Sequence, residues 1–311
     1  MNAQAAELPV DDMVLLTGRP PLAKFVRYIR GKTIDGLRAH EGDVAAKWWR
    51  GREMYRQLET DERGWPDNPS IEPLPEEMRE LAELGLSQPS VRRLRHFAPR
   101  EWRMVEIDRM VVYQHTINLR FVEEIKAALP SPLRAEDIMR LAIGNTEQRH
   151  PPVRVVQSND GEYTFSSASN DLRFLDVVNL EAGCIRDYQP SGCVSSAIVL
   201  FVGFSDNLIS AVHAGNRVYL QNGSHRVFAL RELGVTHAPC LLTRVTREEE
   251  YELLLPGDVK QDREQYVRSP RPSVFKDYFD DRVRTIVPVM RMNHVLEAKL
   301  TLEKASIPAM T

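Results

Sequence analysis

The chain has 311 residues, 42% hydrophobic and 27% charged, an ordinary globular composition that suits one large domain or two modest ones. Its formal net charge of −3 excludes the basic body of an indiscriminate DNA binder and leaves only a local basic face open for such contact. The three cysteines, Cys184, Cys193 and Cys240, show no CxxC spacing, and the first residues, MNAQAAELPVDD, carry neither a basic region nor an apolar run suited to export. A reduced, cytoplasmic compartment is expected from these features, and a soluble protein from the lack of any run near the ~20 apolar residues that span a bilayer. Cys184 and Cys193 could pair, but without an export signal they read as two small residues in a loop and a strand.

In chain order, residues 1–63 are expected to form an N-terminal helical accessory region. Its helical pattern runs from Pro20 to Glu59, with Trp48, Trp49, Met54, Tyr55 and Leu58 near one stripe. The stretch GWPDNPSIEPLP, residues 64–75, carries four prolines, which fix φ and remove donors, and reads as an extended linker. Pro75 suits the first turn of the next helix, which Gly85 would close. The segment VRRLRHFAPREWR then brings together Arg92, Arg93, Arg95, His96, Arg100 and Arg103, the densest positive cluster in the chain. It could meet a phosphate backbone, and it equally suits a solvated helix face balanced by the acidic helix before it.

Residues 104–112, MVEIDRMVV, read as a strand, and a helix begins after Asn118 as N-cap, with Leu119, Val122, Ile125 and Leu129 on its apolar side. A short helix follows from Arg134 to Ile143. PPVRVV and EYTFSS flank SNDG, a good hairpin signal. AIVLFVGF reads as a strand, SDNLISAVHAGN as a loop or short helix, and RVYLQ as a strand that leads into NGSHR. The helix VFALREL, a turn at Gly234 and a closing strand APCLLTRV come next. Strict alternation from Met290 to Leu302 predicts one long, half-buried strand with His294 on its apolar side.

The cluster NGSHR at a strand-to-helix junction is the chemically informative stretch. A helix's first turn leaves amide N–H groups without intrahelical partners and carries partial positive charge, so it can hold an anion. Gly223 lets backbone approach a ligand, Ser224 can cap or donate, His225 adds an adjustable donor, and Arg226 offers a planar fork to oxyanions. Val227, Ala229 and Leu230 can pack the helix on a sheet. The alternative is a plain Asn222-Gly223 turn with Ser224 as N-cap and with His225 and Arg226 satisfied by neighbouring acids.

The order of strand, NGSHR, an apolar helix with Ala229 three residues after Arg226, a glycine and a strand opening on proline resembles the signature of the ParB/sulfiredoxin superfamily. The likeness is specific over about residues 219–244 and looser from about Val105 to 245, where MVEIDRMVV, Gln114 and INLRFVEEIKAAL resemble that domain's first strand, loop and helix. It implies an α/β (α+β) fold, a mixed sheet with flanking helices, over residues 76–250 with an internal insertion at about 176–197, and a C-terminal extension, 251–311, containing a long strand. It also implies a bound nucleotide, ATP, ADP or CTP with Mg2+ as a candidate companion, whose phosphates contact Gly223, His225 and Arg226; Asn222 and Ser224 are further binding candidates from their place in the cluster. Ser224 stands where a sulfiredoxin has its catalytic cysteine, which disfavours sulfinic acid reduction. After Val245 the sequence REEEYELLLPGDVKQDREQY does not resemble the helix-turn-helix reader of partition proteins. Free-serine kinases of the superfamily have an Asp where this chain has Asn222.

PPVRVVQSNDGEYTFSSASNDLRFLDV repeats a degenerate form of the same pattern, which places Asp171 and Arg173 as further candidates near the phosphate; a polar loop with an Asp–Arg pair reads the same residues. An enzyme of phosphoryl transfer or phosphate-ester hydrolysis, kinase-like or nuclease-like, would use His225 and Arg226 against phosphate charge and Asp171, Glu106 or Asp108 as base. A nucleotide-gated switch would instead contact nucleic acid or a protein partner without turnover, through Arg92, Arg93, Arg95 and Arg100. No metal-ligand set is expected, and oligomeric state is not legible.

Overall fold

The computed structural model describes residues 9–36, 38–88, 91, 99–144, 151–159, 161–169, 171–185, 192–204, 207–301 and 303. The chain divides into two units, Met1–Thr146 with Asp206–Arg291, and Glu147–Ser205 with Met292–Thr311. In chain order the first unit contributes β1 (Val10–Leu16), α1 (Leu22–Lys32), α2 (Glu41–Asp61), β2 (Ile71–Glu72) and α3 (Arg79–Leu86). It continues with β3 (Arg100–Glu106), β4 (Thr116–Asn118), α4 (Leu119–Ala128) and α5 (Ala135–Ile143). The second unit holds β5 (Arg154–Asn159), β6 (Glu162–Ser167), β7 (Leu172–Glu181) and β8 (Ser196–Phe204). The chain returns to the first unit with β9 (Ser210–Ala214), β10 (Arg217–Asn222), α6 (Ser224–Glu232), β11 (His237–Val245), α7 (Tyr251–Leu254), α8 (Gly257–Gln261) and β12 (Arg284–Met290). It closes in the second unit with β13 (His294–Lys299). Among the described residues this is a mixed α/β fold with four sheets and eight α-helices.

The sheet that positions the signature helix has the order β10-β9-β11-β3-β2. β9 and β11 run parallel, and every other neighbouring pair in it is antiparallel. A parallel pair needs a crossover, and α6 supplies it, leaving β10 and returning the chain to the far side of β9. Val227, Phe228, Ala229 and Leu230 are all buried, so α6 is apolar around most of its circumference, as a core helix must be. Phe228 stacks on Phe279 with ring centroids 4.3 Å apart.

The N-terminal region and the C-terminal extension are not appendages. β1 pairs along its whole length with β12, from Val10 opposite Met290 to Leu16 opposite Arg284, and on its other side with β4. Fully buried Arg271 joins Asp277, at 2.6 Å, to Glu62 at the end of α2. Burial works against its charge, but Asp277 and Glu62 outweigh it and raise the guanidinium's pKa. Arg19 donates to the Arg271 carbonyl at 2.6 Å, pairs with Glu59 at 3.1 Å and lies over the Tyr55 ring. At Gly18 and Gly51 backbones meet so closely that a Cβ on Gly18 would lie 2.2 Å from the Arg52 amide nitrogen. The accessory region 1–63 and residues 251–291 of the extension therefore share one unit with most of the domain expected between them, the linker 64–75 runs within that unit, and the rest of the extension belongs to the second.

Several local expectations are corrected. Residues 10–16 form a strand where no element was expected, and the helical region is two helices, α1 ending at Lys32 and α2 beginning at Glu41. Gly85 does not end α3 but lies buried in its last turn, where a Cβ would sit 3.1 Å from the Trp102 ring. The strand expected at 104–112 is β3, shifted to residues 100–106, which leaves Asp108 outside it. The stretch read as a loop or short helix contains β9. The single C-terminal strand is two strands, β12 and β13, in different sheets, and His294 is exposed. The inserted unit begins before the expected insertion and includes the last strand among the described residues.

Candidate functional site

Asn222 ends β10, and Gly223, at φ +99°, turns the chain into α6 through the left-handed region that favours glycine. A Cβ at Gly223 would also lie 2.8 Å from Ile209 Cγ1, so the position is constrained by both conformation and space. The Asn222 carboxamide oxygen accepts from the Gly223 amide at 2.9 Å, and its Nδ2 donates to the Leu208 carbonyl at 3.0 Å and to Asn207 Oδ1 at 3.2 Å. The next amides, those of Ser224 and His225, have no acceptor among the described residues. They therefore present the positive end of α6, with buried Ser224 as its first residue.

His225 and Arg226 diverge from this end. His225 Nε2 accepts from the backbone N–H of Asn118 at 3.0 Å, and its ring meets Phe121 edge-on. Burial, and then the neighbouring Arg226 charge, lower its pKa to about 4, so the ring is neutral at pH 7. A neutral imidazole that accepts at Nε2 carries its proton at Nδ1. Asn118 also caps α4, its Oδ1 accepting from the amides of Arg120 and Phe121, while its Nδ2 donates to Asp11 at 3.0 Å. Burial would raise the Asp11 carboxyl, but hydrogen bonds from Arg291, Asn118 and Arg120 outweigh that and hold it below its usual range. A continuous network thus runs from Arg291, just past β12, and Asp11 of β1 through the start of α4 to His225.

Arg226 is buried and turned toward α5. Its Nη1 donates to the Leu141 carbonyl at 3.0 Å, to Ala142 and to the Asn207 carbonyl, and its Nη2 to Asn207 Oδ1 at 2.8 Å. The guanidinium thus caps the negative end of α5, which corrects the expectation that its fork faces an external oxyanion. Carbonyl oxygens at a helix C-terminus compete for the same donors that a phosphate would use.

The remaining candidates lie elsewhere. Asp171 and Arg173 form an ion pair with each other at the start of β7, in the second unit, apart from the unit that holds NGSHR. Glu106 accepts from the Ser70 amide at 2.9 Å and faces Arg109, and Asp108 holds Arg231 at 2.5 Å. Arg100 begins β3, where burial lowers its pKa, and Arg103 pairs with Glu101. Arg92, Arg93, Arg95 and His96 lie outside the described residues. Among the described residues no three His, Cys, Asp or Glu side chains gather as metal ligands. None of their helices is long and apolar enough to cross a membrane.

Sequence reasoning missed Asp11, Asn207 and the carbonyls of Leu141 and Ala142 as partners of the cluster. Asn118 was legible, but only as a cap. Compared with family models, with curated proteins and with solved structures, the chain matches none of them.

Proposed function

We propose that this chain binds a nucleotide or another phosphate ligand at the N-terminus of α6, in a ParB/sulfiredoxin-like arrangement, and that the ligand acts mainly by being bound. The observation that carries the reading is the pair of uncommitted amides, Ser224 and His225, behind a left-handed Gly223 that brings backbone to the surface of the turn. Neutral His225 adds a donor at Nδ1 without the desolvation cost of a second cation. Arg226 contributes its field from behind while it anchors α5. Ligand binding would therefore press on two joined elements, α5 through Arg226 and α4 through His225 and Asn118, which is the mechanical requirement of a switch.

Phosphoryl transfer or phosphate-ester hydrolysis is the second reading, resting on the same ligand. It asks for a carboxylate base, and Glu106, Asp108 and Asp171 each hold an arginine. Magnesium would arrive chelated by the nucleotide's own phosphates. A thermal-shift series with ATP, ADP, CTP and phosphorylated metabolites, with and without magnesium, tests both readings. A ligand at 100 times its Kd stabilises the folded state by about 2.7 kcal/mol, so a saturating rise in Tm is expected. A flat response across the panel overturns the phosphate site. A rise without phosphate release or acceptor modification supports the switch, and turnover with the same ligand establishes the enzyme.

A further inference from the structure

The second unit contains a two-stranded antiparallel ladder, β7 with β8, whose register carries information beyond its last pair. After a bulge at Leu175 the partners run from Asp176 opposite Phe201 to Glu181 opposite Ser196. Stepping the same register three residues outward sets Ala182 against Ser195, Gly183 against Val194 and Cys184 against Cys193. The arms that lead from the last ladder pair to the two cysteines are therefore of equal length. Arms of unequal length would force a slip of the ladder to bring two thiols together; equal arms do not. Both cysteines are exposed and carry free thiols, whereas Cys240, in β11 of the other unit, is fully buried.

Reach allows closure. Paired strands hold their Cα atoms about 4.5–5.5 Å apart, and three residues extend about 10 Å, so both cysteines stay within a short radius of one ladder end. A disulfide asks for Cα atoms about 4.4–6.8 Å apart, the separation that a continued ladder would give at this position. Ala182–Cys184 instead forms a 3-10 turn in the reduced chain, closed by the Ile185 amide on the Ala182 carbonyl at 3.2 Å. On the β7 arm a short turn stands in place of the extended ladder, and on the β8 arm residues 192–195 lie outside the strand.

We propose that Cys184 and Cys193 are a reversible dithiol–disulfide pair that closes the end of the β7–β8 hairpin when the chain meets a small-molecule disulfide such as oxidised glutathione. One cysteine thiolate attacks a glutathione sulfur, and the displaced glutathione thiolate takes a proton from water. The second cysteine thiolate attacks the protein sulfur of the mixed disulfide, forming the Sγ–Sγ bond and releasing the second glutathione. Two protein thiols lose two electrons and two protons, and one glutathione disulfide becomes two thiols. The product is a covalent ring from residue 184 to residue 193, shut in the oxidised form and open in the reduced one.

The test uses the full chain, equilibrated in graded ratios of oxidised to reduced glutathione, quenched with acid, denatured and alkylated. The reduced protein should expose three thiols and the oxidised protein one, with a mass loss of two hydrogens and a proteolytic fragment linking Cys184 to Cys193. The transition should reverse with reductant and be independent of protein concentration. Cys184→Ser and Cys193→Ser should each retain one glutathione on the remaining surface cysteine. Two glutathiones retained by the unsubstituted chain with no cross-link, or disulfide dimers that grow with protein concentration, would overturn the proposal.

Discussion

His225 Nε2 accepts the backbone N–H of Asn118 at 3.0 Å, so the residue expected to meet a ligand also ties the signature helix to the start of α4. Only the neutral ring can accept, because the imidazolium has no lone pair. The consequence is a pH dependence with a definite sign. The folded-state pKa is lowered to about 4 from an ordinary 6.5, so the unfolded chain binds the proton first. The contribution is fully present above pH 6.5 and is lost as pH falls from there toward about 4. His115, which shares a hydrogen bond of 3.1 Å with the Tyr266 hydroxyl, has its pKa lowered to about 4 chiefly by burial and titrates in the same window. Urea denaturation at pH 7, 6, 5 and 4 should show stability falling, with each histidine contributing on the order of 3 kcal/mol over the window. His225→Gln should flatten the slope by about half of the combined effect; an unchanged slope would contradict the buried, neutral assignment.

Arg226 supplies a second measurement. Its guanidinium reaches the last carbonyls of α5 and both ends of Asn207, and a lysine cannot reproduce that fork. Hydrogen bonds that involve a charged group contribute about 1.5–3 kcal/mol, so Arg226→Lys should lower stability by about 2 kcal/mol and Arg226→Ala by more. Hydrogen exchange should quicken at the C-terminal turn of α5 in both variants. Loss of ligand binding with stability and exchange unchanged would mean that the fork faces the ligand after all.

The sequence was most informative where one local rule acts alone. The Asn118 cap, the helices that begin near Leu119 and Ala135, the hairpin around SNDG and the glycine turn before α6 are each set by a few neighbouring residues. It was least informative where distant segments decide. β1 has no clean alternation in VDDMVLL, and becomes a strand because β12 and β4 pair with it from both sides. The alternation from Met290 to Leu302 crosses from one unit to the other, and no periodicity marks that crossing. At the site, residue types were legible and directions were not. Arg226 reads as an oxyanion fork in sequence, and only the packing of α5 against α6 shows which carbonyls claim it.

The pair of Arg271 and Asp277 should be among the most sensitive positions in the chain. Both side chains are fully buried and joined at 2.6 Å, and the Tyr55 hydroxyl adds a bond of 3.2 Å to the same carboxylate. Removing one partner of such a pair leaves an uncompensated charge and costs about 3–5 kcal/mol. Asp277→Ala should therefore unfold the protein at much lower urea, whereas Tyr55→Phe, which deletes only a neutral donor, should cost about 1 kcal/mol. Because this network joins α2 to the segment before β12, limited proteolysis of Asp277→Ala should release the N-terminal helices early. Equal losses for the two variants would show that the ion pair is not the dominant element.

Gly223 separates conformation from ligand contact. At φ +99°, any side chain is strained, and a Cβ would also press on Ile209 Cγ1 at 2.8 Å. Gly223→Ala should cost about 1–3 kcal/mol from the strained backbone, with a further cost from the displaced Ile209. Ile209→Ala removes the contact without touching the backbone conformation, so the double variant should recover part of the loss if the clash contributes, and none if conformation alone decides. The same substitution tests the phosphate site from the other side. A methyl group at position 223 crowds the turn that carries the Ser224 and His225 amides, so phosphate-induced rises in Tm should shrink more in Gly223→Ala than in Ile209→Ala of comparable stability. Equal rises in the two variants would place the ligand away from the α6 N-terminus.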